Sequence, residues 1–406
     1  MRLKKPIVIL LCFAFLICLT ACSGQVSKRS LKIGFLTTLA ENDVTVSIHL
    51  SGLKIAMDET GIQEKQLVIK TDTSPENAYA TVQSLVSDGC DLIFADCVDL
   101  EDAMVQASTE QPDVDFCVFN GLQATNGLAN YHTYSFREFE SRYVSGILAG
   151  EKLNDLITNG EIQPKEAVLG YIATERNADN ISAYTAFSLG VRAVCETART
   201  RVHYLNKSGD EDAAKRAALA LISYGCKMIA QQEISFGAVA AVCEENNVYY
   251  FGTLKDVKEQ APNFYVSTSS INLDECYTFA IQEKLNGSLP NEWSKGTKEP
   301  AAFLLEPNES AFTSKDKLDK AMETVSSYAA EITEGTRRVF DTKTWSVKKK
   351  PITSTVGYDE YFGKEYISEN GYFMENELSS IPKFEFHIDG IIELNPNEIT
   401  FESLGG

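Results

Sequence analysis

The feature that most constrains this chain is an alternation of short apolar strands and amphipathic helices that runs through it twice. The first series has strands over residues 31–38, 66–70, 91–95, 115–119 and 131–136. Between them lie helical spacings over 44–60, 75–87 and 100–109, and a long helix starts at Glu138. Gly61 and Gly89 follow the first two helices, and Pro75 sits in the first turn of the second. The second series has strands over 167–173, 201–205, 227–230 and 248–251, separated by helices over 180–195, 211–224 and 237–246. Strands joined through helices of this length pair in parallel with right-handed crossovers. Two series predict two similar α/β lobes. The strand at 264–269, the helix 274–286 and the strand 301–305 are expected to return to the first lobe. The expected boundaries are 31–135 with about 262–320 for lobe one, and 136–261 with about 321–345 for lobe two. Residues 346–406 are rich in Tyr, Phe and Asn, and read as a covering region rather than a third domain.

The N-terminus is an address. Arg2, Lys4 and Lys5 precede an almost wholly apolar run from Ile7 to Leu19. A run this short does not reach the roughly 20 residues of a spanning helix, and the pattern is that of a secretory signal over 1–21. Leu19-Thr20-Ala21-Cys22 resembles a bacterial lipobox, which implies cleavage before Cys22 and lipid on its thiol. Residues 22–30 then form a polar tether. Two or more acyl chains hold a protein stably on a membrane, so the expected location is the cell membrane, facing outward.

Charge narrows the partners. The whole chain carries -20, and the part beyond residue 21 carries a formal -23. Nucleic acid and anionic lipid surfaces are poor partners for such a body. Seven cysteines lie beyond Cys22, an odd number, mostly inside apolar patterns where free Cys acts as a small hydrophobe. The four His are scattered. No metal-ligand spacing, nucleophile motif or phosphate loop is present, so no metal, cofactor or enzymatic step is expected.

Parallel sheets bind ligands at the carboxyl ends of their strands. The polar residues there are Thr38, Glu41, Asp96, Asp99, Asn120, Thr174, Glu175, Gln231, Gln232, Thr253 and Asp256. Spread over two lobes, they suit hydrogen bonding to a small polar molecule in a cleft. The first choices for contacts are Thr38, Glu41, Asn42, Asp99 and Asn120 from lobe one, and Thr174, Gln231 and Asp256 from lobe two. Phe136 and Arg137 lie at a crossing between lobes. Phe136 offers a ring for stacking, and Arg137 meets either an anionic ligand or a neighbouring acid such as Glu140.

Tyr134-Ser-Phe-Arg-Glu-Phe-Glu-Ser-Arg-Tyr-Val-Ser-Gly-Ile-Leu-Ala-Gly150 resembles the strand-to-helix crossing of the basic-membrane-protein lipoproteins. Leu169-Gly-Tyr-Ile-Ala173, the helix 183–192, and the stretches 218–232 and 238–252 continue the resemblance, which spans roughly 31–345. It implies a type I periplasmic-binding-protein fold with three crossover segments. It also implies capture of a purine or nucleoside for the permease and ATPase of an ABC importer. Some of that family's contacts are replaced. Thr45 and Val46 stand for an aromatic and an Asn, and Leu254 stands for an Asp that grips ribose. Ile271, Asn272 and Leu273 stand near the places of Trp or Lys contacts. Two other readings stay open: a surface ligand sensor or regulatory lipoprotein of the same fold, and an envelope enzyme using Glu41 and Asp99 as paired carboxylates.

Overall fold

The computed structural model describes residues 31–124, 126–205, 209–232 and 235–394; the signal, the tether and Cys22 lie outside them. The first sheet contains β1 (Ile33–Leu36), β2 (Leu67–Lys70), β3 (Leu92–Ala95), β4 (Asp115–Phe119), β5 (Tyr131–Phe136) and β11 (Glu292–Lys295). Its order is β2-β1-β3-β4-β5-β11, and every pair is parallel. The second contains β6 (Val168–Ala173), β7 (Arg199–Tyr204), β8 (Met228–Gln231), β9 (Tyr249–Thr253), β10 (Tyr265–Ile271), β12 (Ala302–Leu304) and β13 (Ile391–Leu394). Its order is β13-β7-β6-β8-β9-β10-β12, with only β12 antiparallel to its neighbour. The fold is the expected two-lobed α/β architecture.

Each sheet is covered on both faces, as parallel strands require. In lobe one, α1 (Val44–Glu59) and α8 (Leu273–Asn286) share one face with Phe35, Phe94 and Tyr134. Helices α2 (Pro75–Ser87) and α3 (Glu101–Glu110) take the other, against Ile93, Phe116 and Tyr131. In lobe two, α4 (Glu138–Thr158), α5 (Ala178–Val194) and α9 (Lys315–Thr333) cover one face, and α6 (Glu211–Ser223) and α7 (Phe236–Glu245) the other. Caps fix where several helices begin. Asp43 accepts from the Thr45 amide at 2.7 Å, and Asn177 from the Asn180 amide at 3.0 Å.

Two boundaries differ from expectation. Strands β10 and β12 belong to lobe two, and α9 joins it from Lys315 rather than from about residue 321, so lobe one regains the chain only over α8 and β11. The strand pattern shows that β10 is buried, not which sheet takes it; Val266 packs into the lobe-two core, while Leu273 and Tyr277 of the next helix pack into lobe one. The chain therefore crosses between lobes three times: between β5 and α4, between β10 and α8, and between β11 and β12.

Residues 337–394 cover lobe two with a stack of aromatics. Phe340 lies parallel to Phe384 with ring centroids 4.2 Å apart, and Trp345 meets Phe384 edge-on at 5.4 Å. Phe139 of α4 joins this cluster through Phe340 at 5.4 Å. The same region reaches lobe one. The Ser380 amide donates to Glu292 at 2.9 Å, and its hydroxyl bonds that of Thr133 at 2.9 Å. The tail thus straps the two lobes together beside the crossovers.

Helices α4 and α5 cross with their backbones in contact. A Cβ at Gly190 would fall on the carbonyl oxygen of Tyr143, and one at Gly146 on that of Phe187. Backbone on both sides leaves nothing to move aside. Gly190→Ala is expected to lower stability by about 3 kcal/mol, the upper part of the usual overpacking range, measured by urea unfolding; an unchanged midpoint would contradict this crossing.

Candidate functional site

The carboxyl ends of the first sheet form one wall of the site. Strand parity sets which residues share a face. Leu92 and Phe94 join the α1/α8 core while Ile93 and Ala95 join the opposite one, so Asp96 follows on the α1/α8 side. Thr37 continues the Phe35 face in the same way, and Phe119 and Phe136 end β4 and β5 there with ring centroids 6.0 Å apart. Behind this row, the His49 Nδ1 and Tyr277 hydroxyl are 2.7 Å apart, and the Tyr134 hydroxyl donates to that of Tyr277 at 3.2 Å. Burial pulls His49 down to about 4, so it is neutral at neutral pH.

Lobe two supplies the facing wall from the first turns of α4 and α5 and the ends of β8 and β9. Arg142 is buried and spreads its guanidinium over three acceptors. It donates to the Gln231 carbonyl at 3.3 Å, to Glu138 at 3.4 Å and to the Thr253 hydroxyl. Asp179 accepts from the Gln232 amide at 3.2 Å, and the Tyr171 hydroxyl donates to the Gln232 side-chain oxygen at 3.2 Å. Burial, then the charge on Glu138, pushes Asp179 up to about 6 against the opposing pull of Arg142. The lobes touch over this site: Val44 of α1 and Leu254 after β9 both pack on the lobe-two cluster that holds Val239 and Val257.

Arg137 closes the hinge side. Its guanidinium donates to Glu140 at 2.9 Å, to Glu299 at 2.7 Å and to the Ser294 carbonyl at 3.1 Å. Glu140 lies in the first turn of α4 and Glu299 in the third crossover, so Arg137 is committed to neighbouring acids, the second of the two roles expected for it.

The other expected contacts divide into two groups. Thr38, Asn120 and Thr174 are half-buried at strand ends, and Gln231 and Phe136 are fully buried there. Asn120 adopts the left-handed conformation, with φ of 52°, as its amide turns back to the Tyr134 carbonyl at 2.8 Å. Glu41, Asn42, Asp99 and Asp256 are exposed on the rims. Asp256 caps its own turn through the Lys258 amide at 2.8 Å. Nothing brings Glu41 and Asp99 together as a carboxylate pair. Arg142 and Asp179 were absent from the expected set. Their signal was position alone, in the first turns of helices that follow strands. Asp96 is a strand-end polar residue that the sequence alone does not separate from Asp99.

Among the described residues, no group of three or more His, Cys, Asp and Glu could hold a metal ion, and no helix is long and apolar enough to cross a membrane. A cavity of about 960 Å³ lies elsewhere, between α4, α5, α9 and the tail. Its Arg337 and Arg338 are already paired with Glu331 and Glu377.

Two facing lobes with polar strand ends and three crossovers are a geometry that solute-binding proteins share. The family described as ABC transporter substrate-binding protein, PnrA-like, matches residues 40–299, and the chain belongs to it. It is 24% identical over 238 residues to a purine-binding protein of Brucella abortus strain 2308, covering 58% of this chain and 64% of that one. It is 27% identical over 171 residues to a Haloferax volcanii protein named as an ABC transporter glucose-binding protein, covering 42% of this chain and 40% of that one. The chain thus spans less than two thirds of either relative. Among solved structures, solute-binding proteins of ABC transporter systems share the fold. One from Aeropyrum pernix K1 superposes with a TM-score of 0.62 at 14% identity, over 82% of this chain and 95% of that one. One from Conexibacter woesei DSM 14684 gives 0.61 at 14%, over 76% and 98%. A transcriptional activator of the comK gene from Bacillus halodurans gives 0.62 at 16%, over 75% and 99%.

One buried acid joins the strap to the lobe-two wall. Glu375 accepts from the Ser182 hydroxyl of α5 and from the amides of Lys383 and Phe384 at 3.1 and 2.9 Å. Burial, reinforced by the Asp179 charge, pushes it from 4.5 up to about 7. A carboxyl that holds its proton more tightly when folded contributes stability below pH 4.5 and loses it as pH rises through about 7. Glu375→Gln is expected to remove a loss on the order of 3 kcal/mol between those limits, at about 1.4 kcal/mol per unit. Melting temperatures of both proteins from pH 4.5 to 7.5 check this; parallel curves would contradict it.

Proposed function

We propose that this protein is a lipid-anchored solute-binding protein that captures a purine base between its lobes and hands it to an ABC importer. Family membership supports the importer, its permease and its ATPase as partners. The purine class draws on the Brucella relative, whose name states that it binds purine. The observation that carries the reading is the lobe-one wall, where Phe119 and Phe136 stand beside the buried carboxylate of Asp96. Aromatic rings and a few fixed polar groups are what a flat, polar heterocycle needs. On the other side, Arg142, Asp179 and Gln232 give the second lobe its own polar face. No covalent step is involved. The ligand acts by favouring the closed arrangement of the lobes about the crossovers, and the closed form docks on the permease. Lipid on Cys22 keeps the protein at the outer face of the cell membrane.

A base suits the cleft better than a ribonucleoside. Leu254, which occupies the place of the ribose-gripping Asp, packs with Val44 on one apolar cluster. A sugar there would bury hydroxyls without partners, which costs free energy. Titration calorimetry of the full chain with purine bases and their ribonucleosides tests the reading. Binding of at least one base, tenfold or more tighter than its nucleoside, is expected. The absence of heat and of thermal stabilisation with every purine would contradict it.

A further inference from the structure

Asp96 is a buried carboxylate short of donors. It is 7% exposed, and neither of its oxygens makes a well-formed hydrogen bond. A carboxylate buried without donors is costly, and persists where another demand holds it in place. Its surroundings offer no cation. The charges that act on it are acidic, from Asp43 at the start of α1, and burial pushes it above the usual carboxylate range. The donors beside it offset its burial only in part: the Thr37 hydroxyl, which also accepts the Leu39 amide at 3.0 Å, and the Cys97 thiol, while the Tyr277 hydroxyl is bonded to His49 and Tyr134. Asp96 stands one residue past β3, on the α1/α8 face of the cleft edge, in the row that contains Phe119 and Phe136.

We infer that Asp96 is the specificity-determining acceptor of the cleft, and that it selects a ligand edge carrying two adjacent donors. Two carboxylate oxygens side by side match two parallel N–H groups. Among purine bases that edge is the ring N1–H and exocyclic 2-amino group of guanine. Adenine presents an acceptor at N1 and hydrogen at C2, and hypoxanthine presents one donor only. The assignment to guanine rests on the purine reading above; the assignment of Asp96 as a residue held for a ligand does not. A site built to bond a group discriminates strongly against analogues that lack it, because its own polar atoms are then left unpaired.

The test combines calorimetry with thermal unfolding of the full chain and of Asp96→Asn. Wild type is expected to bind guanine at least tenfold more tightly than hypoxanthine or adenine, and Asp96→Asn to lose that preference. Without ligand, Asp96→Asn is expected to melt at a higher temperature, since it removes an unsatisfied buried charge. Guanine binding unchanged in Asp96→Asn would overturn the inference while leaving the purine reading intact. Failure of wild type to bind any purine would sink the guanine assignment together with that reading. The unfolding arm then decides for Asp96 alone: a higher melting temperature supports a residue held for a ligand, and a lower one shows a structural role and overturns it.

Discussion

The guanidinium of Arg137 ties the molecule together where the lobes meet. It sits at the first crossover and bonds Glu140 of the next helix, Glu299 of the third crossover and the Ser294 carbonyl beside it. Its backbone amide donates to the Lys295 carbonyl at 2.7 Å. Glu140 in turn accepts from the amide and hydroxyl of Thr297, both at 2.7 Å. A planar fork with fixed donors is suited to holding two carboxylates in one geometry, and its position on three segments makes it a register pin for the crossovers. The direction in which each lobe presents its strand ends follows from that pin.

The strap of residues 337–394 adds a second tie of a different kind. The crossovers are connected by charge-assisted hydrogen bonds, whereas the strap joins lobe two by stacked rings and lobe one by Ser380 and its partners Thr133 and Glu292. It covers β5 and β11 on the face that α2 and α3 leave open. Under the proposed function, hinge motion works against two restraints. Ligand contacts across the cleft have to supply the difference in free energy between the open and closed arrangements.

Much of this was legible in the chain. Short apolar runs and helical spacings, bounded by Gly and capping residues, marked most strands and helices of both lobes, and the parallel-sheet rule pointed to the strand ends for the candidate site. The rest depended on partners far apart in sequence. The pattern Glu-Trp-Ser-Lys of β11 has no apolar alternation, and its strand state comes from pairing with β5. Burial of Val266 could not announce which lobe β10 completes. Glu375 and Ser182 meet across 193 residues, and Arg137 and Glu299 across 162. Asp96 and Asp99 looked alike as polar residues after a strand. Burial separates them, because Asp96 keeps the parity of Phe94 while Asp99 turns outward in the short helix Val98–Leu100.

In the proposed function, two lobes hinged at three crossovers close on a small polar ligand. Pulsed electron resonance between spin labels on Glu76→Cys of lobe one and Lys258→Cys of lobe two, both exposed positions, reads that closure as a distance. A shorter and narrower distance distribution is expected when a binding purine base is present at saturation. A distribution that stays the same while calorimetry shows the base bound would contradict it.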